Sequence, residues 1–148
     1  MAHFTLTFTQ GAPIINVAVM VSMARRSALL AAKAPVPNTQ SVRGLVDTGA
    51  SHTCVDPTVL QALQLQPTGS VQVHTPSTGG VPVSADTYDI GFAIPGPSGS
   101  TPFLLPSMQV TASGLASGQG IHVLIGRDVL SQFIMTYNGT TGLFMLAY

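Results

Sequence analysis

Short runs of alternating apolar and polar residues recur along the chain and predict β-strands. Residues 4–8 (Phe-Thr-Leu-Thr-Phe) alternate with period two, as in a strand with one buried face. Short apolar runs predict further strands at residues 14–21, 42–46, 71–74, 81–94, 108–111, 121–125, 133–137 and 143–148. Because glycine and proline separate these short runs throughout, the pattern predicts an all-β barrel or sandwich in a single domain, residues 1–148.

Two short helices are predicted from signals at their ends. Asp56 is a residue type that caps helix N-termini, and Pro57 suits the first helical position, so we predict a helix over residues 58–63. Gly126 leads into a second candidate helix at residues 127–133. Both helices are short, so they do not change the all-β prediction.

The first 40 residues contain an apolar stretch, which bears on localisation, and a long connection. Residues 14–24 are the longest apolar stretch and are too short to span a bilayer, which takes about 20 apolar residues. The next part, residues 24–40, is predicted to be a long inserted connection with a helical turn at 27–33, because Pro35 and Pro37 stop a helix. The N-terminal residues lack the basic and apolar regions of a signal peptide. The default expectation is a cytoplasmic location without a membrane span.

Charged residues are scarce, and this excludes several classes of function. Only 7% of the residues are charged, against about 25% in an ordinary domain, and five Lys and Arg balance five Asp, with no Glu. So few cations cannot build a patch for nucleic acid, while the 45% apolar content argues against disorder. The single cysteine, Cys54, cannot form an intrachain disulfide, so the fold does not depend on an oxidising compartment.

The segment LVDTGAS at residues 45–51 is the strongest candidate for chemistry. An apolar strand leads Asp47 into a tight turn, in which the Thr48 hydroxyl can form a local hydrogen bond and Gly49 permits close approach of another backbone. Asp47 is therefore the candidate catalytic residue. The alternative for the same residues is an ordinary Asx turn at the end of a strand.

A second segment, VLIGRDVL at residues 123–130, gives the first one a family context. Together the two segments resemble the motifs of the retroviral-type aspartic proteases (retropepsins). The predicted strands also come in that family's order, so the resemblance covers nearly the whole chain. It implies an all-β, retropepsin-like acid protease barrel with a flap hairpin and one or two short helices, assembled as a homodimer.

The resemblance also implies the arrangement of the catalytic carboxyls. Aspartic proteases use two carboxyls that share one proton and activate a water. This chain has one Asp-Thr-Gly, and the other Asp-Thr pair, at Asp86, lacks the glycine. Two Asp47 side chains are therefore expected to meet across the two-fold axis of a homodimer. In the family, interleaved terminal strands form the dimer. Residues 4–8 and 143–148 are apolar and uncharged as this requires, although they could instead pair within one subunit.

The resemblance further implies a flap, which is a hairpin that closes over an extended peptide. Apolar arms at residues 71–74 and 81–83 surround a tip at residues 76–80, whose backbone groups would bind substrate. The tip departs from the glycine-rich retroviral pattern, and an ordinary β-hairpin is the alternative. The candidate substrate-binding residues of this hairpin are Thr75, Pro76, Ser77, Thr78, Gly79 and Gly80.

Further substrate-binding residues follow from the same resemblance. Ala50 and Ser51 are expected to face the substrate backbone, and Leu124 and His122 to line subsites from the strand before Gly126. His122 departs from the apolar residue usual at its position. It either tunes specificity or lies at a solvent edge.

Three residues near the site are given structural roles: Gly126, Arg127 and Asp128. Many retroviral enzymes have an aspartate where this chain has Ser51, and that aspartate pairs with the family's arginine. Arg127 must therefore find other acceptors, either backbone carbonyls or Asp128.

Other site chemistries have less support. His52, Cys54 and His74 lack a convincing fourth ligand for zinc. The sequence contains no serine-hydrolase elbow and no glycine motif for a nucleotide. We expect no metal and no cofactor.

The sequence thus predicts an aspartic endopeptidase that cleaves extended peptides or proteins with a water activated by two Asp47 carboxyls, one from each subunit. Thr48 would brace the active-site turn, and Gly49 would admit the substrate backbone. Apolar pockets predict apolar residues at the cleaved bond. The alternative is a catalytically silent, retropepsin-like dimer that binds peptides or mediates an interaction.

Overall fold

β-Strands are the main regular structure of the chain, as the sequence predicts. The computed structural model describes residues 1–74, 79–115 and 119–148. In chain order the elements are β1 (His3–Thr7), β2 (Ile14–Val21), α1 (Met23–Ala31), β3 (Gln40–Val46), β4 (Cys54–Val55), α2 (Pro57–Ala62), β5 (Gly69–Val73), β6 (Val83–Ile94), β7 (Phe103–Ala112), β8 (Val123–Ile125), α3 (Arg127–Leu130), β9 (Ile134–Asn138) and β10 (Leu143–Ala147).

Six of the strands close into a barrel. Their order is β2-β3-β8-β4-β7-β6, and an additional antiparallel pairing of β2 with β6 joins the two ends. β5 lies outside this ring and pairs with β6 as an antiparallel hairpin. Alternate residues of each strand point into the barrel, and most of these buried residues are apolar. The fully buried side chains include those of Val17, Val19, Val55, Phe92, Val123 and Ile125.

The two ends of the chain pair with each other in a separate sheet of order β1-β10-β9. Phe4 lies opposite Leu146 in the antiparallel β1–β10 ladder, and both are fully buried. Tyr148 extends the contact, because its ring packs near Phe4 with centroids 5.4 Å apart. The termini are therefore paired within one subunit. The interleaving of terminal strands between two subunits, expected from the family, does not fit this pairing, because β10 has partners on both of its edges.

The inserted connection at residues 24–40 contains a helix that the sequence reading limited to one turn. α1 begins after Ser22, whose side chain accepts a hydrogen bond from the Arg25 amide, and it runs for nine residues. None of its residues is buried, so it has no core-facing periodicity to detect. With α1 the described residues contain three helices rather than one or two. No helix in the described ranges is long and apolar enough to cross a membrane.

The short helix α2 forms where its end signals predict it. The Asp56 side chain accepts a hydrogen bond from the Thr58 amide at 2.9 Å, and Pro57 occupies the first turn. α2 packs Val59 and Leu60 into the core. The other predicted helix is shorter than expected, because α3 ends at Leu130 instead of Phe133.

Candidate active site

Parallel pairing of β3 with β8 brings the LVDTGAS and VLIGRDVL segments of the sequence together. Val46 lies opposite Ile125, so both strands end at the same edge of the barrel. The next residues, Asp47 and Gly126, are therefore neighbours, and the Asp47 amide donates a hydrogen bond to the Ile125 carbonyl at 3.0 Å. The fold thus joins the LVDTGAS and VLIGRDVL segments into one site.

Asp47 is held in a tight turn by its own backbone neighbours. Its Oδ1 atom accepts hydrogen bonds from the amides of Gly49 at 2.9 Å and Ala50 at 3.2 Å. The Asp47 carbonyl also accepts from the Ala50 amide at 3.3 Å. The other carboxyl oxygen, Oδ2, has no partner in the part of the chain that the structure describes. The half-buried Asp47 therefore has one oxygen fixed and one available, while Thr48 and Gly49 beside it are exposed.

Arg127, the first residue of α3, stabilises this turn through hydrogen bonds. Its amide donates to the Ala50 carbonyl at 3.0 Å, and its guanidinium donates to the Thr48 carbonyl at 3.0 Å and to the Ser51 hydroxyl at 2.8 Å. Of the two kinds of acceptor expected for Arg127, the guanidinium therefore uses a backbone carbonyl and not Asp128, and it also uses the Ser51 hydroxyl. Because three bonds converge on residues 48–51 from one side chain and its backbone, Arg127 fixes the shape of the turn.

Thr53 and Asp128 form a second connection between the two segments. The sequence did not predict a role for Thr53. The fully buried Thr53 donates from Oγ1 to Asp128 Oδ1 at 2.7 Å, and its amide donates to Asp128 Oδ2 at 2.9 Å. Thr53 Oγ1 also accepts from the Gly126 amide at 3.1 Å. Asp128 accepts in addition from the Val129 amide at 2.9 Å. The carboxylate of Asp128 is therefore committed to structure.

Gly126 is required by close approach of two backbones. A Cβ atom at this position would lie 2.5 Å from the carbonyl carbon of His52 and 2.9 Å from the Thr53 nitrogen. Real Cβ contacts are not this short, and backbone atoms cannot move aside as a flexible side chain can. The glycine therefore allows the segment after Asp47 to pack directly on the start of α3.

Leu124 belongs to a half-buried apolar row beside the Asp47 turn. It lies opposite Leu45 on one side and Cys54 on the other, and directly opposite residues point to the same face of a sheet. All three are half-buried. Cys54 continues the row toward Thr111, with its Sγ atom 3.1 Å from the Thr111 hydroxyl. Cys54 thus belongs to this half-buried row and not to the inner core.

His122, directly before β8, has a buried side-chain nitrogen. Its Nδ1 atom has no hydrogen-bond partner among the described residues, and its carbonyl accepts from the Asp56 amide at 2.8 Å. Burial raises the pKa of the Asp56 carboxyl, but hydrogen bonds from Thr58 and Leu115 and the charge of His122 lower it. The net pKa of Asp56 lies below its ordinary value. His122 is therefore a half-buried residue beside the capping carboxyl of Asp56.

The predicted flap corresponds to the β5–β6 hairpin. The tip residues Thr75, Pro76, Ser77 and Thr78 lie outside the described residues. Gly79 and Gly80 have positive φ angles of 61° and 83°, as in a turn. Val71, Val81 and Val83 on the two arms are exposed. The hairpin therefore presents apolar side chains to solvent.

The candidate zinc ligands do not form a group. Among the residues that the structure describes, no three His, Cys or Asp side chains gather closely enough to hold a metal ion. The Cys54 thiol instead lies near a hydroxyl and a carbonyl.

A family model and two solved structures are similar to this chain. The model of a family described as aspartyl proteases matches residues 32–129, which include the whole LVDTGAS segment and all but the last residue of VLIGRDVL. No curated protein matches the chain. The crystal structure of a retropepsin-like aspartic protease from Rickettsia conorii is similar, with a TM-score of 0.56 and 18% identity over 97% of this chain and 89% of that one. The solution structure of the Simian foamy virus (mac) protease aligns with a TM-score of 0.42 and 19% identity, over 62% of this chain and 81% of that one. At such identities the likeness to the Rickettsia structure concerns the fold alone. The chain belongs to the aspartyl protease family and has a retropepsin-like fold.

Proposed function

We propose that the protein is an aspartic endopeptidase that acts as a homodimer, with one Asp47 carboxyl from each subunit activating a shared water. The observation that carries the proposal is the state of the Asp47 carboxyl. Two backbone amides bind its Oδ1 atom and set its orientation, while Oδ2 is available to a water. A carboxyl with one oxygen fixed and the other free is suited to proton transfer.

The need for two subunits follows from the chemistry. Hydrolysis requires one carboxyl that takes a proton from water and another that donates a proton to the peptide carbonyl. Two carboxyls a few ångströms apart cannot both ionise, so they titrate as a pair with two separated apparent pKa values. The chain contains one Asp-Thr-Gly, and Asp128 is bound by Thr53. The second catalytic carboxyl therefore comes from a second copy.

The surroundings of Asp47 support an extended peptide as the substrate. Leu45 and Leu124 form an apolar row next to the turn, and the β5–β6 hairpin carries exposed valines. The exposed Gly49 lets a substrate backbone approach the carboxyl. Thr48 contributes to the turn through its carbonyl, which accepts from Arg127, and Ala50 and Ser51 continue the surface along which the peptide runs. Apolar residues at the cleaved bond would bury this surface.

The test is cleavage of a denatured protein mixture between pH 3 and pH 8 by wild type and by Asp47→Asn at matched dimer content. We expect an optimum on the acid side, inhibition by statine-like compounds, and loss of at least about 10³-fold in kcat/KM in the variant. Equal activity in both proteins would refute the assignment of Asp47. A wild-type dimer that binds peptides without cleaving them would instead establish the binding module.

A further inference from the structure

The helix α1 lies on the outside of the barrel with almost all of its surface exposed. Of its nine residues, Leu29 is half-buried and all the others are exposed. The Arg25 guanidinium donates a hydrogen bond to the Gln64 carbonyl at 3.2 Å, just after the end of α2. Residues four apart lie on the same side of a helix, so Arg25 and Leu29 both face the protein. The opposite side of α1 faces away from it.

This outward side of α1 is both apolar and cationic. Met23, Arg26 and Leu30 follow one another at spacings of three and four residues, so they share one face of the helix. Met23 and Leu30 are 59% and 58% exposed. Lys33, three positions after Leu30, is exposed just beyond the end of the helix. These four residues, Met23, Arg26, Leu30 and Lys33, are called the α1 face below.

The charges of the chain are divided along the sequence. Four of the five Lys and Arg residues precede residue 47, and all five Asp residues lie at or after it. Three of those four cations are in α1 or just after it, namely Arg25, Arg26 and Lys33. Among the acidic residues, Asp89 lies near the start of α1, because its neighbour Ile90 pairs with Val21. The region of α1 therefore keeps an excess of positive charge, which favours an anionic partner.

α1 is at the end of the barrel opposite to the candidate active site. Ile14, at the start of β2, lies opposite Leu45, which is next to the Asp47 turn. β2 runs from there to Val21, directly before the residue that caps α1. At about 3.3 Å per residue, β2 places α1 about 25 Å along the strand from this turn. A surface that binds the α1 face therefore leaves the candidate active site uncovered.

We propose that the α1 face binds the surface of a membrane that contains anionic phospholipids. Met23 and Leu30 insert at the boundary between the headgroups and the acyl chains, and Arg26 and Lys33 contact the lipid phosphates and carboxylates. Long basic side chains reach the headgroups while their apolar neighbours are buried, and both kinds of contact contribute to binding. This inference goes beyond the proposed function and does not depend on it.

The shape of the α1 face favours a lipid surface over an acidic protein as the partner. A helix of nine residues is about 14 Å long, whereas a stable protein partner covers about 800 Å² with complementary shape. An exposed helix is convex, and a convex surface needs a groove in its protein partner. A fluid lipid surface adapts to a convex helix, so it needs no such groove.

Sedimentation with lipid vesicles at pH 7 tests the proposal on the full chain. We expect binding to phosphatidylcholine vesicles that contain about one-third phosphatidylserine, and binding at least about tenfold weaker to pure phosphatidylcholine. Because each cation near an anionic surface contributes about fivefold to the partition coefficient, Arg26→Gln and Lys33→Gln are each expected to lower it about fivefold. Leu30→Gln removes an inserted apolar side chain and is expected to lower it by at least about fivefold.

Two control variants match these changes elsewhere on the surface. Ile134→Gln replaces an apolar residue that is 59% exposed, as Leu30 is 58% exposed. Gln132→Glu lowers the net charge by one at an exposed position, as Arg26→Gln does. Both controls are expected to leave the partition coefficient unchanged within about twofold, because exposed charges far from the lipid are screened.

Three results of the vesicle experiment overturn the proposal. The first is a wild type that does not bind the anionic vesicles. The second is loss of binding in the control variants equal to that in the α1 variants, which indicates an effect of overall charge or hydrophobicity. The third is a protein that ignores the vesicles but binds a polyglutamate peptide and loses that binding in Arg26→Gln, which assigns the α1 face to an acidic protein.

A tryptophan reporter locates the contact directly. The chain contains no Trp, so Leu30→Trp and Ile134→Trp each introduce a single indole. With anionic vesicles we expect the emission of Leu30→Trp to shift to the blue, because an indole prefers the membrane interface, and that of Ile134→Trp to stay unchanged. Vesicle binding without a shift in Leu30→Trp overturns the proposal. None of these measurements involves peptide cleavage, so a failure of the proposed function does not affect them.

Discussion

The buried hydroxyl of Thr53 gives the sharpest test of how the site is held together. Thr53→Val keeps the shape of the side chain and removes its oxygen. The change deletes a hydrogen bond to the Asp128 carboxylate, at 2.7 Å, and leaves the buried Gly126 amide without its acceptor. A bond to a charged group contributes about 1.5–3 kcal/mol, and an unsatisfied buried amide costs about 1–3 kcal/mol.

The expected loss of unfolding free energy lies near the lower end of that sum, about 3 kcal/mol. The reason is that Asp128 keeps two other donors, the amides of Thr53 and Val129. For a chain of 148 residues this corresponds to a fall in Tm of about 6–12 °C. Urea denaturation and calorimetry in the Asp47→Asn background measure the effect without self-digestion.

Two control variants decide whether the hydroxyl is responsible. Thr53→Ser retains both hydrogen bonds and is expected to lose no more than about 1 kcal/mol for its missing methyl group. Thr7→Val, at an exposed position of β1, is expected to change stability by less than about 0.5 kcal/mol. If Thr53→Val is as stable as Thr53→Ser, the connection between Thr53 and Asp128 does not hold the site, and the reasoning is wrong.

Two other positions give predictions about stability. The folded-state pKa of Asp56 is lowered below its ordinary value of 3.8, so its contribution to stability is complete above about pH 5 and is lost as the pH falls through the folded-state pKa. Urea midpoints measured from pH 6 to pH 2.5 are therefore expected to fall less steeply for Asp56→Asn than for wild type, and parallel curves would contradict the role of this carboxyl. Gly126→Ala forces a Cβ into the backbone after His52 and is expected to cost at least about 2 kcal/mol. Gly114→Ala, where nothing lies within 4 Å of the added atom, is the control, and equal melting temperatures for the two variants would argue against the close approach.

Local signals in the sequence predicted those elements that local interactions stabilise. β2 has its predicted bounds, because its apolar run is bordered by Pro13 and the capping residue Ser22. α2 forms where the N-cap Asp56 and the following Pro57 predict a helix. The Asp47 turn was predicted from its own residues, since the bonds that define it join neighbours.

Three features that depend on contacts between distant parts of the chain were not predicted. β4 has two residues and exists because β7 and β8 pair with it. The first half of β7 was missed, because Pro106 interrupts the strand pattern. A shift of register between Ile90 and Phe92 of the neighbouring β6 accommodates it, in keeping with the preference of proline for bulges and edges. The role of Thr53 was hidden because its partner Asp128 lies 75 positions away.

The distance along the chain between the two parts of the site has a consequence for protein synthesis. Arg127 and Thr48 are 79 positions apart, and the first strand pairs with the last. A chain leaves the ribosome from its N-terminus. The Asp47 turn therefore lacks its hydrogen bonds to Arg127 until α3 has emerged. In the same way, β1 lacks its partner strand until β10 has emerged. A nascent chain in which α3 and β10 have not yet emerged therefore lacks the geometry of the Asp47 turn described above.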